Sequence, residues 1–582
     1  MPSGALSRLR SIGAWIAARP GGAAIVCLGI CWGITMHSMG WAQLAHYAQV
    51  RAFADGQAEI DPWHWETKDK AFVDGHFYSV KSPGVAAISL PAYLLADTGP
   101  GRELDQAAIE NARKTKYPRW TPPPSRSPAD YGFDPARADS VLGQVERNAP
   151  VIWLLTLIVA VIPATLLLFG VRWAGDRIQP GYGTAAAITL GLATIVATFA
   201  AEYFSHVIAA ALGFGAFALL MRERDGPPSI RMVALAGLAA GLGVTFEYQV
   251  GLVGVVLFFY ALAREAPRLP RAGAFFAAAL AGAIPALAFN VWAFGSPFEF
   301  AYGSAVDVSG FTGHDVVGLN DDGLFGITLP SGQSAVDLLL GSRGLLALTP
   351  VIAAAIAGVW LIWRDGEHRA EVVVVAAIAG AYFLYNVSYW LPYGGGTPGP
   401  RFLIPALPFM ALGLAAAYRR LPAITLSLAI PSFVFMGAAA ISFPLIGDQG
   451  SGEWGDFIED GHLEHTLLSA FGVRNPWVAI APVVLLAFAA IFFAARATPT
   501  TRLGDLRPAV AALAAWALLS AVGPSLTQSP VRPLDGDPNA LVLIAIGAGC
   551  SLLALGAIGL REHGGLGGSL RPLTRGAEVE QH

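Results

Sequence analysis

The chain has 582 residues, of which 54% are hydrophobic and only 13% carry a charge. Soluble globular proteins carry nearly twice that share of charged residues, so the composition indicates a polytopic membrane protein and excludes a soluble globular domain. The formal net charge of −4 points to no particular partner. The basic residues form no stripe with interleaved aromatic residues, which argues against a nucleic-acid-binding protein.

The predicted fold is all-α and crosses the membrane many times. Runs long enough to cross about 30 Å of hydrocarbon number about fourteen. The first run follows a basic N-terminal stretch without a small-residue cleavage site, so we interpret it as a retained helix. The predicted spans are 21–41, 149–171, 182–201, 203–221, 231–246, 248–263, 272–293, 344–363, 371–391, 402–418, 422–441, 476–495, 508–524 and 539–560.

The charge distribution predicts the orientation. With both termini in the cytoplasm, arginine residues concentrate in the short inner loops, as the positive-inside rule requires. The long loops 42–148, 294–343 and 442–475 then lie on the opposite face. The sequence therefore predicts a multi-pass protein of the inner (plasma) membrane with its active site on the extracytoplasmic face.

The first outer loop contains an apolar segment, 83–95 (PGVAAISLPAYLL), that is too short to span a membrane. We expect an interfacial helix there. Residues 98–148 are rich in Pro, Arg, Ala and Asp, and we expect an irregular lid. The C-terminal tail is rich in glycine and is predicted to be disordered. The predicted parts are 1–420, a catalytic transmembrane module, 421–561, additional C-terminal helices, and 562–582, a cytoplasmic tail.

Six acidic residues and two histidines lie between positions 55 and 76, soon after the first span. A carboxylate here could act as a general base that takes a proton from an acceptor hydroxyl. We favour Asp61 and Asp69, with Asp74 third because an Asp-Gly pair is also typical of an ordinary turn. The other acids are interpreted as solvated. His76 belongs to the same segment, and Lys81 could hold a phosphate as a compact positive charge.

A second constellation lies where a predicted helix leaves the membrane. Tyr389 is followed by a glycine run at 394–396, and the segment ends at Arg401. Backbone N–H groups at a glycine-rich turn can bind an anion, and arginine adds a fork that matches phosphate oxygens. The alternative is an interfacial aromatic belt with a tight hairpin. A position on the same face as Lys81 favours a phosphate contact for Arg401.

Two further outer hairpins carry ionisable residues. Glu202, Tyr203 and His206 lie in one, and Glu247 and Tyr248 lie in the other. Ionisable side chains at the edge of apolar helices are candidate functional residues. We select His206 and Glu247 as candidates for substrate binding. The alternative is that these side chains only cap helices or pair with loop arginines.

Four segments of the predicted outer face carry recognisable motifs: 74–84 (DGHFYSVKSPG), 203–206 (YFSH), 341–350 (GSRGLLALTP) and 389–408 (YWLPYGGGTPGPRFLIPALP). The first fits the pattern G-x-x-Y-x-x-K-x-P, with Tyr78 and Lys81 at its Tyr and Lys positions. In this order, the segments resemble the GT-C superfamily of membrane glycosyltransferases. That superfamily includes the protein O-mannosyltransferases and the bacterial enzymes that decorate lipid A with aminoarabinose.

The resemblance implies interfacial helices in the first outer loop and transfer of a sugar from a polyprenyl-phosphate carrier. It also implies that Lys81 lies beside the carrier phosphate. Many members have an acidic pair just after the first helix. The corresponding stretch here, 41–47 (WAQLAHY), has no acid, so the base is expected among Asp61, Asp69 and Asp74. The residues predicted to bind substrate are Lys81, Arg401, His76, Tyr78, His206, Glu247 and Tyr389.

The predicted function is a membrane glycosyltransferase that moves a sugar from a polyprenyl phosphate to an extracytoplasmic acceptor, which could be a cell-wall glycan, a lipid or a protein. Single displacement would invert the anomeric carbon. No nucleotide-binding fingerprint is present in the sequence. A divalent cation could bridge carboxylate and phosphate, although nothing in the sequence demands one. The alternatives are a transporter or flippase of a lipid-linked sugar, and a polymerase or ligase that uses a diphosphate-linked glycan.

Overall fold

A computed structural model gives the architecture of the protein. It describes residues 19–37, 39–112, 114, 149–264, 267–307, 316–317, 320, 322–447 and 449–562. The predicted disorder of the C-terminal tail and most of the predicted 98–148 lid lie outside these residues.

Long apolar helices form the body of the molecule. Within the described ranges, nine helices are long and apolar enough to cross a membrane. They confirm the predicted all-α, multi-pass fold. The nine are Ala149–Ile178, His206–Arg224, Arg268–Phe294, Arg369–Ser388, Arg401–Arg420, Pro422–Ile441, Pro476–Ala497, Leu506–Leu526 and Pro538–Arg561.

Other predicted spans coincide with shorter or bent helices. The predicted span 344–363 coincides with a bent pair, Gly332–Leu348 and Val351–Asp365, whose axes differ by 87°. A helix of 17 residues or fewer reaches less than about 26 Å at 1.5 Å per residue, so the count of fourteen stays a prediction. The shorter apolar helices at predicted spans are Pro20–Gly33, Gly183–Leu192, Ile230–Phe246 and Val250–Leu262.

The first long loop is mostly helical. The helix Trp41–Ala54 opens it, and Gly84–Ala96 forms a helix at the position predicted for the interfacial segment. The expectation of an irregular lid from residue 98 is wrong for its first part, because Gly99–Ala112 is a helix. Its sequence explains the difference, since a proline stands in its first turn and no β-branched run follows.

Short antiparallel strands tie the loops together. The strands are β1 Thr35–Met36, β2 Lys70–Val73, β3 His76–Ser79, β4 Val306–Asp307, β5 Val316–Val317 and β6 His465–Thr466. β2 and β3 form a hairpin, β4 pairs with β5, and β1 pairs with β6 from the far end of the chain. The β1–β6 pair joins the segment after the helix Pro20–Gly33 to the loop at 442–475.

Close helix packing fixes the turn that carries Glu247. The helices Ile230–Phe246 and Arg268–Phe294 touch backbone to backbone at Gly241, where any Cβ would collide with the Ala279 carbonyl oxygen. Small residues permit such an approach between membrane helices. The Thr245 hydroxyl also donates a 3.0 Å hydrogen bond to the Gly282 carbonyl, so the end of the first helix is held in place.

Candidate active site

A cavity of about 380 Å³ lies where several loops meet at one end of the helical body. The first loop contributes Asp69 and Lys81, and the glycine-rich segment contributes Arg401. Phe443 and Leu445, from the C-terminal part of the chain, form another wall. Residues distant in sequence therefore build one pocket, as is common for small-molecule sites.

The β2–β3 hairpin brings Asp69 and Lys81 together. Its turn consists of Asp74 and Gly75, both at positive φ (49° and 90°), which is the backbone that an Asp-Gly two-residue hairpin favours. Because the strands are antiparallel, the residues just before β2 and just after β3 become neighbours. Lys81 Nζ lies 2.6 Å from an Asp69 carboxylate oxygen.

The charge of Asp69 is maintained by its neighbours. Burial would raise the pKa of this carboxyl group, but attraction to Lys81 and Arg401 outweighs burial and lowers the pKa below its ordinary value. The Asp69 side chain is 30% exposed and that of Lys81 is 11% exposed. An ionised carboxylate that is reachable from the cavity can accept a proton.

Arg401 is a further cationic side chain of the cavity, which Lys68 and Lys70 also line. Its guanidinium carbon lies 5.6 Å from the ring centre of Phe204 and 5.4 Å from that of Phe402. Among the described residues, no carboxylate lies within 4.0 Å of the guanidinium, and buried Nε makes no hydrogen bond. A partly buried guanidinium that lines a cavity and has no carboxylate partner suits an anionic ligand.

Arg343 holds the glycine-rich segment that precedes Arg401. It donates hydrogen bonds of 2.7 Å and 3.2 Å to the carbonyl groups of Gly395 and Thr397. Its guanidinium also lies 4.6 Å from the Tyr393 ring centre. Gly395 has φ of 132°, a conformation that only glycine adopts readily. The run of glycines therefore allows a sharply folded loop, and the hydrogen bonds from Arg343 hold this loop in place.

Aromatic side chains form another part of the cavity wall. Trp41, Tyr302, Tyr389 and Trp390 all line it. The Trp390 indole donates a 2.6 Å hydrogen bond to the Asn320 side-chain oxygen. Tyr389, a predicted binding residue, thus lies in the cavity together with Lys81 and Arg401.

His206 and Glu247 form a buried pair next to Lys81. His206 Nδ1 lies 3.0 Å from a Glu247 carboxylate oxygen, and the Ser205 hydroxyl donates to the same carboxylate. Burial would raise the pKa of Glu247, but His206, Ser205 and Lys81 together lower it to about 2. The carboxylate is therefore charged and already has partners.

Glycine also brings the Lys81 segment and the Glu247 turn together. A Cβ at Gly84 would lie 2.6 Å from the Thr245 carbonyl oxygen, so only glycine fits there. The two hairpins predicted to share one face with the first loop do meet it.

Six predicted site residues do not line the cavity: His206 and Glu247, which lie beside Lys81, and four residues of the first loop. Asp61 accepts hydrogen bonds from His76 at 2.7 Å and from the Phe77 backbone at 2.6 Å on the exposed side of the hairpin. Asp74 occupies the exposed turn. Tyr78 packs against the Phe294 ring at 5.0 Å. Asp61, Asp74, His76 and Tyr78 are absent from the cavity lining. In β3, side chains alternate between the two faces, and His76 and Tyr78 lie on the face away from Lys70.

Sequence reasoning missed several buried polar residues. Lys70 is 1% exposed and donates a 2.8 Å hydrogen bond to the His64 carbonyl, and burial lowers its pKa to about 7. Glu202 accepts a 3.0 Å hydrogen bond from Gln43, and burial raises its pKa to about 7. Gln43 and His46 occur three residues apart in a buried helix, and that polar spacing in an apolar segment is a signal that could have been used.

Metal binding is not assigned to any residue. Within the described part of the chain, no three His, Cys, Asp or Glu side chains gather as metal ligands. The described residues therefore offer no candidate ligand set for the divalent cation that the sequence analysis considered.

Comparison with known proteins gives structural neighbours only. No family model and no curated protein matches the chain. A crystal structure of ArnT from Cupriavidus metallidurans bound to undecaprenyl phosphate is similar, with a TM-score of 0.45, 13% identity, and coverage of 92% of this chain and 88% of that chain. The apo structure gives a TM-score of 0.45, 14% identity, and coverage of 93% and 78%.

With TM-scores of 0.45 and identities of 13% and 14%, these similarities assign neither an activity nor a residue role to this chain.

Proposed function

We propose that this protein is a membrane glycosyltransferase that moves a sugar from a polyprenyl-phosphate carrier to an extracytoplasmic acceptor with inversion. One observation carries the proposal. Lys81 and Arg401 line one cavity beside Asp69, and Arg401 has no carboxylate within ion-pair distance among the described residues. Two cations beside one proton acceptor are the groups that such a transfer needs.

The carrier phosphate would lie between Lys81 and Arg401. As the bond between the anomeric carbon and the phosphate oxygen breaks, its electron pair stays on the phosphate. Positive groups placed at that oxygen stabilise the growing charge, a contribution of about 3 kcal/mol per donor in comparable sites. Lys81 would then share its charge between Asp69 and the phosphate.

Asp69 would act as the base. The oxygen of the acceptor hydroxyl forms the new bond to the anomeric carbon, and its proton passes to the Asp69 carboxylate. The lowered pKa of Asp69 keeps it ionised at neutral pH, as this role requires. The reaction needs no covalent sugar–enzyme intermediate, because one displacement accounts for every bond made and broken.

The surroundings suit a sugar on a lipid. Trp41, Tyr389 and Trp390 offer flat apolar surfaces and polar edges in the cavity, and the helical body offers apolar surface to a prenyl chain. His206 and Glu247 would support the cationic side of the site from behind. The acceptor would be a cell-wall glycan, a lipid or a protein, and the cavity would open to the extracytoplasmic side of an inner membrane.

The test is transfer by the purified full chain. A radiolabelled sugar on undecaprenyl monophosphate is offered, and cleavage of the sugar from its carrier is measured by extraction. We expect Lys81→Ala, Arg401→Ala and Asp69→Asn each to lose at least about 100-fold in rate. Cleavage that is equal in all three variants and the unmodified protein would contradict the proposal.

Matched controls separate the site from general loss of charge. Asp61→Asn removes an exposed carboxylate of the same loop, and Arg474→Ala removes an exposed arginine of the predicted outer face. Both should cleave the donor normally. Label that crosses a vesicle membrane with its carrier still attached would instead support the flippase alternative.

A further inference from the structure

A second, much smaller cavity lies behind the two cations. Its volume is about 10 Å³, which matches the space for a single water molecule. Lys81 and Arg401 belong to the walls of both cavities, together with Phe204, Tyr302 and Phe402. The small cavity is also lined by His46, His206 and Glu247. Its walls are therefore mainly polar.

Two residues that line this cavity carry buried polar atoms without hydrogen-bond partners among the described residues. The His46 ring is 1% exposed, and neither of its nitrogens makes a hydrogen bond. Nε of Arg401 is also buried and makes none. Buried donors and acceptors are nearly always satisfied, because leaving one unpaired costs about 1–3 kcal/mol. Orphaned groups of two residues beside one polar cavity indicate a missing shared partner.

We propose that the small cavity binds one ordered water molecule, which accepts a hydrogen bond from Arg401 Nε and donates one to the His46 ring. His46 is then a positioning residue for the Arg401 guanidinium. The water site stands on geometry alone. Its consequence for anion binding rests on the proposed function.

Water fits the cavity better than a small anion. An anion could accept from Arg401 Nε, but it has no proton to give to an unprotonated ring nitrogen. Burial and the nearby Lys81 lower the pKa of His46 to about 3, so one of its nitrogens needs a donor.

The water would fix one edge of the guanidinium. With Nε satisfied from behind, the remaining N–H groups of Arg401 stay available to the main cavity. Without the water and His46, the guanidinium could rotate about its side-chain torsions and would hold an anion less well. His46 would thus influence the affinity of the site without touching the ligand.

The first test is an experimental map of the full chain at a resolution that shows ordered water. We expect one density peak within hydrogen-bond distance of Arg401 Nε and a His46 ring nitrogen. The same peak should be missing in His46→Leu. A small cavity that is empty in the unmodified protein would overturn the water site.

The second test measures binding of farnesyl phosphate, a short prenyl monophosphate, to the purified full chain. We expect His46→Leu to weaken binding about tenfold, in line with the loss of a hydrogen bond that supports a charged group. His46→Gln, which keeps a donor and an acceptor, should stay within about threefold of the unmodified protein.

Tyr203→Phe is the matched control. Tyr203 is buried and contacts the His46 ring edge-on, yet it does not line the small cavity, so its hydroxyl should be dispensable for binding. Unchanged affinity in His46→Leu would overturn the positioning role. If the unmodified protein binds no farnesyl phosphate while the map shows the water, the proposed function fails and the water site stands.

Discussion

Asp69 and Lys81 form a 2.6 Å ion pair across the open end of one β-hairpin. The pair links the predicted base to the predicted phosphate-binding cation, so a change in one alters the charge felt by the other. Single substitutions of Asp69 and of Lys81 can therefore test the base and the phosphate-binding cation separately.

Replacing the two partners should have opposite effects on anion binding. Asp69→Asn removes a negative charge beside the phosphate site, so farnesyl phosphate should bind as tightly as before or more tightly. Lys81→Ala leaves Asp69 without its cation and should weaken binding at least about tenfold. Calorimetry on the purified chain measures both. Weaker binding in Asp69→Asn would show that the carboxylate mainly holds Lys81 in place.

The stability contributed by Asp69 should disappear only in acid. Its pKa is lowered in the folded chain, because Lys81 and Arg401 outweigh burial. The contribution is therefore complete above the ordinary value of about 3.9 and is lost as pH falls through the folded value. The difference in melting temperature between Asp69→Asn and the unmodified protein should be constant from about pH 8 to pH 5. A difference that shrinks between pH 7 and pH 6 would contradict this assignment.

Lys70 should make the protein more stable as pH rises. Burial lowers its pKa to about 7, whereas an unfolded lysine has a pKa of about 10.4. Between these values the unfolded chain binds more protons, so the free energy of unfolding increases with pH. Melting temperatures measured from pH 7 to pH 10 should rise less in Lys70→Met, which has no charge to bury. Lys114→Met, at an exposed lysine outside the cavity, serves as the control and should keep the rise.

Breaking the pair of His206 and Glu247 should destabilise the fold. Glu247→Ala leaves a buried imidazole and the Ser205 hydroxyl without their partner, and the expected loss in unfolding free energy is about 3 kcal/mol. Glu247→Gln still accepts from Ser205 and should lose less. Thermal unfolding monitored by circular dichroism provides the measurement.

Asp97→Ala is the comparison for that pair. Its partner Arg102 lies on the surface with a 2.9 Å contact, where ion pairs contribute little. We expect the melting temperature of the Asp97→Ala variant to match that of the unmodified protein. If Asp97→Ala lowered the melting temperature as much as Glu247→Ala, burial would not explain the stability contributed by the pair of His206 and Glu247.

The sequence predicted the helical body and part of the site. Long apolar runs need no tertiary information, so most spans were located, and Lys81, Arg401 and Tyr389 lie in one cavity as expected from their motifs. Asp61 and Asp69 could not be separated by spacing alone. The pairing of β2 with β3 decides between the two residues. It places Asp69, just before β2, at the cavity and leaves Asp61 on the exposed side of the hairpin.

The buried polar residues were harder to predict because their partners are distant in sequence. Glu202 meets Gln43 from another helix, and His37 lies 3.3 Å from Glu464 near the opposite end of the chain. No local pattern reports such contacts. His46 stood in a stretch that lacked the expected acids, and its burial beside Arg401 becomes visible only when the helices are assembled.

The β1–β6 pair anchors the last third of the chain beside the main cavity. Phe443 and Leu445 line the main cavity, and the strand after them is anchored to Thr35 and Met36. A shortened protein ending at residue 420 would therefore keep every recognisable motif and still lack one side of its pocket. If the proposed function holds, substitutions in that side would change which sugar is accepted while the reacting groups stay the same.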